Sequence, residues 1–120
     1  MNEKKDLIFI KHILESIEAV GEFSKNMDKD ELNSSRLKQS AITREIEIIG
    51  EAVKNISDKT KNKYKEVEWK EIAGTRDKMI HHYFGVDLDI VWGIIKKDIP
   101  KLKKQISKIK ESHDFGPDTL

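Results

Sequence analysis

The chain has no cysteine and only two prolines in 120 residues. The first absence excludes disulfides, thiolate nucleophiles and cysteine-based zinc sites. It also fits a reducing compartment. The second permits long, uninterrupted helices. Long hydrophobic runs are missing as well. The longest is Leu7-Ile8-Phe9-Ile10, far too short to cross a bilayer or to form a signal-peptide core. The expectation is a soluble, cytoplasmic protein with no membrane segment. Charge of one sign is not in excess either. The formal net charge is +1, so nucleic-acid contact would have to come from local clustering. No segment alternates with period two for long enough to predict a strand. There is no P-loop, no dinucleotide fingerprint, and no Gly-x-Ser-x-Gly element for a hydrolase triad.

What is present is charge spread over apolar stripes. Charged residues make up 38% and hydrophobic ones 37%, a balance that fits narrow apolar faces on charged helices. One domain is expected over residues 1–112, with residues 113–120, which include Gly116-Pro117, as a flexible tail. The stripes then give the helices. Ile10, Ile13, Leu14, Ile17, Val20 and Phe23 step by three and four, predicting a helix from about Lys4 to Asn26. Asp28 to Ser35 is polar, and Ser34 or Ser35 is the expected cap of the next helix. That helix should run to about Ile56 on Ile42, Ile46, Ile49, Val53 and Ile56, close to a seven-residue repeat. Gly50 lies in this face, where a missing side chain would admit another backbone.

A short helical turn is expected near Thr60 to Tyr64, then a third long helix from Trp69 that fails near Tyr83. Arg76 falls on its Trp69/Ala73/Ile80 face, a mostly buried stripe where a charge needs a partner or a cleft. Asp87 or Asp89 should cap a fourth helix carrying Leu88, Val91, Trp92 and Ile95. Pro100 breaks or kinks it, or opens a fifth helix. The sum is an all-α, up-and-down bundle of four to five helices.

The segment Arg76 to Tyr83 concentrates the chemistry. It holds a permanent cation, two imidazoles (His81, His82) and a phenol (Tyr83) in eight residues. Arginine presents a fixed fork of donors to phosphate, and histidine exchanges a proton near neutrality. Together they suffice to move protons around a phosphodiester. A plainer reading makes them a charged lid at a helix end. On one straight helix Asp77 and His81, four apart, share a face, so Asp77 could orient the imidazole. Arg76 and His81, five apart, splay by roughly 140°. Either the helix end distorts, or a second copy of the chain completes the site. Adjacent histidines diverge, so these spacings do not suggest a metal site, and no cofactor is expected. From Lys96 to Lys110 there are seven lysines and one acid, Asp98. Lys103 and Lys104, with Lys78 and His82, are candidate contacts to a nucleic-acid phosphate backbone, although such runs also serve as ordinary solvated faces.

Arg76, His81 and Tyr83 spell Arg-x4-His-x-Tyr. Ile48-Ile49-Gly50-Glu51-Ala52 precedes it, as does Trp69-Lys70-Glu71-Ile72-Ala73-Gly74. Tyr83-Phe84-Gly85-Val86-Asp87 and Val91-Trp92 follow. With these flanks the chain, over roughly Leu7 to Ile109, resembles the HepT-like toxins of the HEPN superfamily. The resemblance implies a helical homodimer with a cleft at its interface, and metal-independent endoribonuclease activity. It implies a catalytic pair, Arg76 and His81. It implies as partner a minimal nucleotidyltransferase antitoxin that silences the toxin by transferring AMP to Tyr83. His82 falls at a variable position of that motif. The alternative is a non-catalytic module of the same superfamily that binds a nucleotide or the nucleotidyltransferase.

Overall fold

Isoleucine and valine at helical spacing dictate the long elements. The structure, a computed structural model, describes residues 3–81 and 85–112, with the backbone alone for Glu3, Lys4, His81 and Ser112. Helix α1 (Glu3–Phe23) and helix α3 (Arg36–Lys54) lie side by side. They bury Ile10, Ile13, Ile17 and Val20 against Ile42, Ile46, Ile49 and Val53. Each such side chain contributes roughly 1.5–3 kcal/mol on burial, more than the roughly 1 kcal/mol that Gly21 costs α1. The two helices run antiparallel. Lys38 Nζ donates to the Phe23 carbonyl at one end, and Asp6 accepts from the Ser57 amide at the other.

Between them lies a helix the periodicity did not announce, α2 (Lys29–Ser34). Asp28 caps it, accepting from the Glu31 amide at 2.8 Å, and buried Leu32 anchors it. Ser35, of the two serines considered, caps α3 through the Lys38 amide at 3.1 Å. The short turn after α3 is α4 (Asp58–Lys63), capped by Ser57.

The third rod departs from expectation. It is two short helices, α5 (Trp69–Ala73) and α6 (Thr75–Met79), divided at Gly74. It ends at Met79, not near Tyr83. Ile80 turns extended at φ −90°, ψ 121°. Strand β1 (Ile80–His81) pairs antiparallel with β2 (Gly85–Val86), Ile80 opposite Val86 and His81 opposite Gly85. Two residues per strand are too few for any alternation to show in the sequence. Gly85 sits at φ +79°, a left-handed conformation that glycine adopts without strain.

Asp87, of the two aspartates considered, caps α7 (Leu88–Gly93), accepting from the amides of Asp89 and Ile90 at 3.1 and 3.2 Å. Pro100 neither breaks the chain nor opens a separate rod. A π-helical turn, Ile94–Asp98, joins α7 to α8 (Ile99–Ser112), and the Ile99 amide reaches back to the Ile94 carbonyl. Proline has no N–H, and its ring crowds the carbonyl four residues earlier, so the turn before it widens. Helix α8 closes the core with Leu102, Ile106 and Ile109. The all-α bundle thus stands as expected. Four main rods (α1, α3, α5–α6 and α7–α8) carry it, with α2 and α4 as short additions. Among the described residues, no helix is long and apolar enough to cross a membrane. The proposed tail, residues 113–120, lies outside the described residues.

Candidate active site

Gly50 sets the site's register. A Cβ there would lie 3.2 Å from the Ile72 carbonyl oxygen and 3.6 Å from that of Ala73. The missing side chain thus admits a backbone, as its place on the apolar face suggested, and α5 seats directly against α3. The two run antiparallel. One turn back along α3 stands Glu47, and one turn onward from Ile72 stands Arg76. The Arg76 Nε donates to Glu47 Oε2 at 3.2 Å.

Arg76 is not on a buried stripe. Its side chain is 63% exposed, Ile80 is exposed as well, and Met79 takes the buried position. The extrapolation from Trp69 and Ala73 failed because Gly74 interrupts the helix and the chain leaves it at Met79. As an exposed pair, Glu47 and Arg76 contribute about 0–1 kcal/mol to stability. Burial therefore does not explain the pair.

The end of α6 settles part of the geometric puzzle. His81 lies beyond the helix, in β1. The 140° splay from Arg76 that a straight helix imposes therefore does not apply, and neither does the shared helical face of Asp77 and His81. Asp77 is exposed on α6. The strand pair is closed by the Asp87 amide, which donates to the Met79 carbonyl at 2.6 Å. Asp87 thereby fixes the ends of β1 and β2 and starts α7 at once. His82 and Tyr83 lie outside the described residues.

The lysine candidates separate. Lys78 lines a groove of about 350 Å³ between α3, α5–α6 and α7–α8, whose lining also includes Lys97, Lys101, Ile49 and Ile94. Glu68, Glu71 and Asp98 line it as well. Lys103 instead borders a depression between α1 and α8. At 100° per residue, Lys101 and Lys103 flank the buried Leu102 on opposite sides, and Lys104 points away from the core. Among the described residues, no three His, Asp or Glu side chains gather as a metal site would require. Sequence reasoning missed Glu47, Lys97 and Lys101. Glu47 carried no signal, because its partner is 29 residues away. Lys97 and Lys101 lay within the lysine run without being singled out.

Comparison with known proteins covers most of the chain. A family model described as "Ribonuclease HepT-like" matches residues 13–109. A Methanocaldococcus jannaschii protein named "Gamma-glutamylcyclotransferase and putative RNase" is 49% identical over 92% of this chain, which spans only 50% of that protein's length. A second protein of that organism, named "Putative RNase", is 40% identical over 88% of this chain and 97% of its own. One from Thermococcus cleftensis, named "Probable ribonuclease HepT", is 40% identical over 86% of this chain and 94% of its own. No solved structure matches.

Proposed function

The chain belongs to the HepT-like family of ribonucleases, and from that membership we propose that it is a metal-independent endoribonuclease, the toxin of a toxin–antitoxin pair acting in the cytoplasm. The ribose 2′-hydroxyl attacks the adjacent phosphorus. The His81 imidazole takes its proton or protonates the departing 5′-oxygen, its twin in a second subunit serving the other step. The Arg76 guanidinium meets the charge that builds on the phosphoryl oxygens. The products are a 2′,3′-cyclic phosphate and a free 5′-hydroxyl. Asp77 is left without the orienting role that a continuous helix suggested, because His81 lies beyond α6 in β1. Lys78 guides the RNA backbone together with Lys97 and Lys101, and His82 and Lys104 are further candidate contacts, whereas Lys103, on the α1 side of α8, is set apart from this path.

The observation that carries this reading is the exit of the chain from α6 between Arg76 and His81. The exit removes the angular obstacle to their acting on one phosphate. A homodimer is proposed on the exposed apolar side chains of Ile80, Val86 and Ile90 around this end, a surface for a second copy to cover. The antitoxin partner is proposed to be a minimal nucleotidyltransferase that transfers AMP to Tyr83. The added anion would compete with RNA phosphate for Arg76.

The test incubates the purified protein with total RNA and a chelator and looks for cyclic-phosphate ends. Arg76→Ala and His81→Ala are each expected to abolish them. Full activity in either variant removes the assignment. A wild-type chain that leaves RNA intact favours the non-catalytic binding module instead.

A further inference from the structure

We propose that Glu47 is a positioning residue for the cleavage assigned above, holding Arg76 by its Nε so that the two terminal nitrogens face the scissile phosphate. The inference rests on the ribonuclease reading. Guanidinium carries five N–H donors in a fixed plane. Among the described residues its one hydrogen bond is Nε to Glu47 Oε2. That bond fixes the rotation of the plane and occupies a single donor. The edge formed by Nη1 and Nη2 is left for a bidentate grip on two phosphoryl oxygens.

The two partners are unequal, and the inequality has a direction. Glu47 lies in the middle of the 19-residue α3, and its side chain is 28% exposed against 63% for Arg76. Arg76 lies on the five-residue α6, between the Gly74 break and the strand pair. A less exposed carboxylate on a long helix thus holds a long, more exposed cation on a short one. An unheld arginine of that exposure loses rotamer freedom when it engages phosphate, and a pre-oriented one loses less. The close approach at Gly50 and Ile72 sets the register that makes the contact.

Glu47 is also an acceptor that phosphate must tolerate, so the opposite role, competition for Arg76, is the rival outcome. Steady-state cleavage of a short RNA separates the two. Glu47→Ala is expected to lower kcat about tenfold and leave KM within about twofold, because the interaction serves the transition state. Glu47→Gln still accepts from Nε and is expected within about threefold of wild-type kcat. Glu47→Asp, one methylene shorter, should fall between them, and carries the test if the alanine variant does not fold. Thermal unfolding midpoints should stay near wild type, as suits an exposed pair. An unchanged kcat, a lowered KM in Glu47→Ala, or a glutamine variant as poor as alanine overturns the proposal. A wild-type chain that cleaves nothing overturns the ribonuclease reading itself, whereas an active wild type with a fully active Glu47→Ala overturns only this inference.

Discussion

Asp6 and Arg76 are both charged, and both reach from one helix to another, yet they sit in opposite worlds. Asp6 is fully buried. Its carboxylate accepts from the Ser57 amide at 2.9 Å, the Ser57 hydroxyl at 2.6 Å and the Thr60 hydroxyl. Three donors compensate for lost hydration, which is the condition for keeping a carboxylate inside a protein. Arg76 stands mostly in solvent, with one hydrogen bond among the described residues. A polar group that serves the fold is saturated by its neighbours. A polar group that serves a substrate keeps capacity in reserve. On the proposed function, the bundle separates the two kinds by place: saturation where α1 meets the start of α4, reserve where α3 meets α6.

That contrast breaks most visibly if the two residues are truncated in parallel. Arg76→Ala should cost about 10²–10³ in kcat, the usual loss when a donor to a developing anion is removed. It should cost no more than about 1 kcal/mol in stability. Asp6→Ala should do the reverse. It strands a buried amide and two hydroxyls, and each orphaned donor costs about 1–3 kcal/mol. With the hydroxyls free to rotate, a total near 3 kcal/mol is expected, with kcat preserved wherever the variant remains folded. Denaturant titration and single-turnover cleavage on both proteins check this. A stable but inactive Asp6→Ala would mean that the division does not exist.

Periodicity made half of this legible. The apolar steps of α1 and α3, and the caps narrowed to Ser34 or Ser35 and to Asp87 or Asp89, follow from local spacing, because each is a property of one helix and its own termini; Gly50 was legible as a gap in the apolar face of α3, though not the α5 backbone that fills it. The Arg-x4-His-x-Tyr segment was legible as a concentration of charged and titratable residue types, on which the proposed function draws. What escaped were relations between segments far apart in sequence. Asp6 was not singled out, since its donors are 51 and 54 residues away. Arg76 looked buried, because extrapolating the Trp69 stripe assumes an unbroken helix, and Gly74 breaks it. The ending of α6 at Met79 was hidden for the same kind of reason. Backbone pairing of Ile80 with Val86 competes with one more helical turn, and a pairing of two residues leaves no pattern to read.

Gly50 sharpens the comparison from the side of the backbone. Alanine is worth roughly 1 kcal/mol over glycine in helix propensity, so an open site would gain stability. Here the new methyl meets the Ile72 carbonyl at 3.2 Å, and α5 must retreat by a few tenths of an ångström. The expected balance is a net loss of about 1 kcal/mol. If the Gly50–Ile72 contact sets the Glu47–Arg76 register, Gly50→Ala should also lower kcat several-fold, by about the factor that a small misplacement of an orienting group costs. A variant that is destabilised yet fully active would uncouple the helix contact from the site.

The smallest effects expected belong to the lysines, and they test where the reserve side of the molecule ends. Lys78 lines the groove beside α6, whereas Lys103 faces the α1 side of α8. Each lysine that neutralises one phosphate of single-stranded RNA contributes about 0.7 to the slope of log affinity against log salt. Lys78→Ala should lower that slope by about this amount for a non-cleavable 2′-O-methyl RNA, whatever its sequence, while Lys103→Ala leaves it unchanged. Fluorescence anisotropy across a salt series reads both. Equal changes in the two variants would mean that RNA crosses both flanks of α8. The substrate surface would then reach round to the α1 side, and exposure of a cation near α6 would no longer mark the functional end from the rest of the bundle.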